Sequence, residues 1–167
     1  PLNLERQGVA DLIIDRMRLR PMTSGRDMSS WEGLVDRIVN PVRGVRIALV
    51  GKYTSLADSY LSHLEAFTHA GAARRYKVRT VFVDSDRLTS EDPAEVLSGV
   101  DGIIVPGGFG TRGVEGMLAA ARYARENKVP FLGVCLGFQI ATIEFCRDVL
   151  GLEKANSTEF DPRTPDP

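Results

Sequence analysis

The spacing of apolar residues changes rhythm near residue 44. Before that point Leu4, Val9, Leu12, Ile13 and Met17 fall mostly on one side of a 3.6-residue helix, with charges elsewhere. The spacing predicts one amphipathic helix over 4–19 that docks on another surface. Residues 21–30 are polar and break the pattern. Ser29 and Glu32 then have capping-box spacing at the start of a second helix, whose apolar stripe is Trp31, Leu34, Val35, Ile38 and Val39. Asn40 before Pro41 ends it, because a residue preceding proline is pushed out of the helical region.

From Val45 onward short apolar runs alternate with helical patterns, which predicts a parallel sheet covered by helices on both faces. The expected strands are 45–50, 78–83, 102–105 and 130–134. The expected helices are 58–70 with Gly71 as cap, a short one over 93–97, 114–127, and 138–150 with Gly151 past its end. The pattern contains no repeat and no low-complexity tract, and its boundary falls between Pro41 and Gly44.

Charge narrows the field of partners. The 21 lysines and arginines nearly balance 22 acidic residues, so no broad field exists to hold nucleic acid or an anionic membrane. The apolar runs are only strand length, and the first residues lack the basic start, apolar stretch and cleavage site of a signal peptide, which predicts a cytoplasmic protein. The chain opens on Pro1 without methionine and closes in a turn-rich stretch, 161–167, which reads as a piece cut at both ends. At 167 residues it suits one domain of ordinary core size plus an extra segment.

Two cysteines eleven positions apart fit neither a disulfide framework nor a metal-ligand pair, so each is judged by its setting. Cys135 lies in Gly133-Val134-Cys135-Leu136-Gly137-Phe138-Gln139, where a strand turns straight into a helix with glycine two positions to either side. Glycines there permit close backbone approach, and the unpaired N–H groups and dipole of a helix start favour a thiolate. Cys135 is the candidate nucleophile, and the Leu136 N–H points toward a developing oxyanion. A second glycine-rich stretch, 105–116, leaves the carboxyl end of the third strand, where sites form in open parallel sheets. Gly108 is the expected second donor. Cys146, inside the following helix, reads as core filler.

Three other patterns fail on inspection. Residues 108–113 satisfy GxGxxG, but the end of the next strand, where a ribose-binding acid belongs, holds Cys135. Gly51-Lys52 resembles the end of a phosphate loop, yet Arg46 replaces its first glycine and Tyr53 its hydroxyl residue, leaving a turn after the first strand. His63 and Glu65 sit two apart on a helix and therefore point about 200° away from each other.

The two glycine motifs together resemble class I glutamine amidotransferases, whose nucleophile elbow reads GxCxGxQ. The wider wording, Val50-Gly51-Lys52-Tyr53, residues 106–116 and Asn156-Ser157-Thr158-Glu159-Phe160, is similar to the CTP synthase branch of that family, in the same order and at matching spacings. The leading segment, with Gln7-Gly8, resembles the end of that branch's synthetase domain.

The resemblance implies a flavodoxin-like open sheet of which this chain holds the N-terminal half. It divides the chain into the tail of a synthetase domain (1–20), a linker (21–43) and the first part of a glutaminase domain (44–167). It implies that Cys135 attacks the side-chain amide of glutamine, forms a thioester and releases ammonia, which a complete enzyme adds to UTP with ATP and magnesium. This segment is expected to bind no cofactor itself. By the same resemblance, Gly108, Leu136, Gly137, Phe138, Gln139 and Glu159 bind glutamine, Gly108 and Leu136 form the oxyanion hole, and Arg112, Gly113 and Glu115 belong to a lid through which GTP acts as effector. The family's histidine and glutamate fall beyond residue 167, so the chain alone is expected to be inactive; the whole enzyme is expected to be a homotetramer. The alternatives are another class I glutaminase or gamma-glutamyl hydrolase, which should lack the 107–116 wording, and a non-catalytic interdomain module.

Overall fold

A computed structural model describes residues 1–20 and 26–167. The polar break expected from Pro21 falls, over 21–25, outside the described residues. The chain divides into two compact units, Pro1–Arg43 with Thr68–Lys77, and Gly44–Phe67 with Val78–Pro167.

The first unit contains α1 (Leu2–Arg6), α2 (Val9–Arg16) and α3 (Ser29–Val39). The single helix expected over 4–19 is two, because Gly8 adopts φ 67 and caps α2 in the left-handed region that glycine tolerates. None of the three helices has a buried residue, and Leu12, Met17 and Val39 are exposed. The capping box expected at Ser29 and Glu32 does not form. Met28 occupies the cap position and the Asp27 carboxylate accepts the Ser29 N–H at 2.9 Å. Arg26 joins α1 to α2 by donating to Glu5 and Asp11, both at 2.8 Å.

The second unit is built on a four-stranded sheet of β1 (Arg43–Gly51), β2 (Tyr76–Asp84), β3 (Gly102–Val105) and β4 (Phe131–Gly133), in the order β2-β1-β3-β4. Parallel pairing sets Ile47, Ala48 and Leu49 against Gly102, Ile103 and Ile104, and Ile103, Ile104 and Val105 against Phe131, Leu132 and Gly133. Alternate residues serve opposite faces, as strand geometry demands. Ala48, Val50, Ile103 and Val105 join the larger core with α7 (Val114–Glu126) and α8 (Leu136–Asp148), while Leu49 and Ile104 pack with Tyr60 on the other side.

The connections hold three departures from expectation. A turn of 3-10 helix, Ala57–Tyr60, leads into α4 (Leu61–Arg74), which runs through the buried Gly71 instead of stopping there; the left-handed residue that ends it is Arg75, φ 59. An unexpected α5 (Arg87–Ser90) precedes α6 (Pro93–Val96), which Asp92 caps by accepting the Ala94 N–H. The last helix begins at Leu136, not at Phe138, so the chain enters it directly from Cys135.

The strand order places β1 and β3 side by side, with their following connections leaving to opposite sides. Such a switch point opens a crevice at the carboxyl ends of the two strands. Lys52 and the 106–110 loop stand there, and Cys135 follows the adjacent β4.

Candidate active site

The turn at Cys135 is sterically enforced. The Val134 N–H donates to the Val105 carbonyl at 2.9 Å and the Gly137 N–H to that of Val134 at 3.0 Å, folding the chain back within four residues. A methyl group on Gly133 would press on the Gly137 backbone and lie 2.7 Å from the Phe138 nitrogen. One on Gly137 would sit 2.9 Å from the Val105 carbonyl carbon. Both positions require glycine because backbone, not a movable side chain, fills the space. Between them Cys135 takes φ 53, ψ −103, a conformation that costs about 1–3 kcal/mol and that the surrounding contacts impose. Its thiol is free and exposed, at the positive end of the α8 dipole.

The 106–110 loop lies directly alongside. Pro106 is fully buried beneath it, a Cβ on Gly107 would be 3.7 Å from that of Cys135, and one on Gly108 would be 3.0 Å from the Leu136 side chain. The Leu136 side chain is itself completely buried, which anchors the first turn of α8 while its backbone stays at the crevice. Among the described residues, the N–H groups of Gly108 and Leu136 have no protein acceptor. Two unused donors and an exposed sulfur thus share one end of the sheet.

Gln139, one turn into α8, donates its amide to the Glu159 carboxylate at 3.0 Å, while its own Oε1 is buried without a partner. Phe138 is 68% exposed on the same turn. Glu159 is held locally, its N–H donating to the Ser157 hydroxyl at 3.2 Å. Gln139 and Glu159, both of which the family resemblance assigns to glutamine binding, therefore touch.

The expected lid residues divide. Arg112 pairs with Asp86 at 2.9 Å and donates to the Lys52 carbonyl. Gly113, at φ 72, is the N-cap of α7, and its Cα faces the buried Ser85. Glu115 lies in the first turn of α7, 3.6 Å from Arg147 and otherwise exposed. Lys52 was not among the expected site residues. It is 4% exposed, and its ammonium donates to the carbonyls of Phe109, at 3.0 Å, and Gly110. Burial, and after it the nearby Arg112 guanidinium, hold its pKa below the usual lysine value. Its position just after a buried strand in a glycine-lysine pair was the available signal.

His63 packs on α4 edge-on to Tyr60, with ring centroids 6.0 Å apart, and Cys146 is half-buried. Neither joins the Cys135 turn. Among the described residues no group of three or more His, Cys, Asp or Glu side chains could hold a metal ion.

The family described as "Glutamine amidotransferase class-I" matches residues 55–162, and the chain belongs to that family. Over all 167 residues the chain is 52% identical to the CTP synthase of Halalkalibacterium halodurans, and it spans 31% of that relative's length. It is 47% identical, over 173 aligned positions, to the CTP synthase of Methanococcus aeolicus, spanning 32% of it. Among solved structures it is similar to the glutaminase domain of Trypanosoma brucei CTPS with bound acivicin. That likeness has 46% identity and a TM-score of 0.67, and covers 73% of this chain and 48% of the other.

Proposed function

We propose that this chain carries the nucleophile half of the glutaminase domain of a CTP synthase. The observation that carries the reading is the exposed Cys135, forced into a left-handed turn at a helix start beside two unused backbone donors. In the reaction Sγ attacks the side-chain carbonyl carbon of glutamine, and the carbonyl oxygen becomes an oxyanion between the N–H groups of Gly108 and Leu136. Collapse breaks the C–N bond and leaves a thioester on Cys135. The departing nitrogen takes a proton to leave as ammonia, and water then cleaves the thioester to glutamate. Gly137, Phe138 and Gln139 line the glutamine site, with Glu159 receiving the substrate's ammonium group.

The wider assignment rests on the similarity to CTP synthases over the whole chain. By it, residues 1–20 end a synthetase domain, 21–43 link it to the glutaminase, and the whole cytoplasmic, tetrameric protein aminates UTP to CTP. ATP and magnesium act on the synthetase domain. GTP acts through Arg112, Gly113 and Glu115. By the same similarity, proton transfer belongs to the family's histidine and glutamate, which are not among these residues.

The test is selective labelling in the whole protein. A glutamine-analogue electrophile should label Cys135 and be blocked by glutamine. Cys135→Ala should abolish labelling and lower ammonia release at least about 10³-fold, whereas Cys146→Ala should keep both. Labelling at Cys146, or ammonia release surviving in Cys135→Ala, would refute the assignment.

A further inference from the structure

We propose that Lys52 is a positioning residue that fastens the 106–112 loop and so fixes the Gly108 amide beside Cys135. The effect on rate rests on the glutaminase reading; the fastening itself does not. One residue reaches the loop at three levels. Its aliphatic stem lies on Gly108, where a Cβ would meet Cδ and Cε at 3.9 Å. Its ammonium takes the next two carbonyls, Phe109 at 3.0 Å and Gly110. Its own carbonyl accepts from Arg112, whose other bond goes to Asp86 at 2.9 Å.

Gly108 is thereby enclosed from two sides, by the Lys52 stem and by the Leu136 side chain, the residue next to the nucleophile. Lys52 is in turn held by its neighbours. The Gly51 carbonyl accepts the Ser85 N–H at 3.0 Å, and the Tyr53 N–H donates to the Tyr60 hydroxyl at 3.1 Å. A glycine-rich loop has many backbone states of similar energy, and an oxyanion donor is useful only if its direction is set before the reaction. A buried ammonium costs free energy unless it is hydrogen-bonded, so its two carbonyls are locked as firmly as it is. Two of its three donors are already taken, which distinguishes Lys52 from a residue that waits for an anionic ligand.

The experiment uses Lys52→Met in the whole protein, because methionine keeps an unbranched stem and removes the ammonium. Amide hydrogen exchange in the 106–112 peptide should quicken at least about tenfold. The kcat for glutamine hydrolysis should fall at least about tenfold with KM changed less than about threefold, since a misdirected oxyanion donor weakens only the transition state. Alkylation of Cys135 by iodoacetamide, which needs no oxyanion hole, should stay within about threefold of wild type. Unchanged exchange, or a KM effect with kcat intact, overturns the proposal. If Lys52→Met does not fold, Lys52→Gln, which keeps one amide donor, is read by the same measures, and wild-type exchange in it also overturns the proposal. A wild-type protein that releases no ammonia from glutamine would sink the glutaminase reading, while the exchange data still decide the fastening.

Discussion

Gly137→Ala opposes two physical effects whose sum has a definite sign. Gly137 is the second residue of α8, and in an ordinary helix exchanging glycine for alanine stabilises by about 1 kcal/mol. Here the new methyl group would stand 2.9 Å from the Val105 carbonyl carbon and 3.0 Å from its Cβ, and would press on the carbonyl oxygen besides. Val105 is completely buried in β3, so the strand cannot withdraw and α8 must shift. Overpacking of this kind costs about 3 kcal/mol at the upper end of the usual range, which leaves a net loss of about 2 kcal/mol. For a domain of this size that lowers Tm by roughly 4–8 °C. Gly151→Ala is the control: φ 73 strains it by about 1 kcal/mol, but nothing lies within 4 Å of its Cβ. Thermal melts followed by circular dichroism should place Gly137→Ala below Gly151→Ala, and both below wild type. A Tm for Gly137→Ala at or above wild type would show that helix propensity outweighs the contact with β3.

Two further outcomes concern α7 and α8. Glu144 is 4% exposed and accepts from Arg125 at 2.9 and 2.8 Å; Arg125→Met strands the carboxylate and should lower the urea midpoint, less than for a fully buried pair because a third of Arg125 meets water, while Arg125→Met with Glu144→Leu should recover most of the loss. The Arg122 guanidinium, donating at 2.6 and 3.0 Å, is the main cause holding the Asp148 carboxyl below the usual carboxylate range. A carboxylate depressed by folding adds stability above its unfolded value of about 3.9 and loses it as pH falls through the folded value. Wild type should therefore lose stability more steeply than Arg122→Gln below about pH 4.5, and parallel urea midpoints across that window would refute the pairing.

The order of elements was legible because each strand of the sheet is a short apolar run next to a helical period. The elbow was legible because Gly133 and Gly137 flank Cys135 at the two positions where backbone fills the space. Glycine misled wherever its conformation depended on its surroundings. Gly71 was read as a helix cap, but it is buried inside α4 and the left-handed residue is Arg75. Gly8 was passed over within an amphipathic pattern, yet it divides the helix. In both cases the periodicity of apolar residues is the same for either outcome, and packing or backbone freedom decides. Lys52 was legible as a residue and not as a contact, since its partners lie 57 and 58 positions later in the chain. Side chains that hold a loop from a distant strand leave no spacing signal in their own neighbourhood.

Cys135 bears a backbone conformation that glycine adopts without penalty and a thiol residue does not. Selection acting on heat resistance alone would therefore favour Cys135→Gly, and variants enriched that way would be sturdier and chemically inert. The elbow is thus a position where the demands of durability and of turnover pull toward different amino acids.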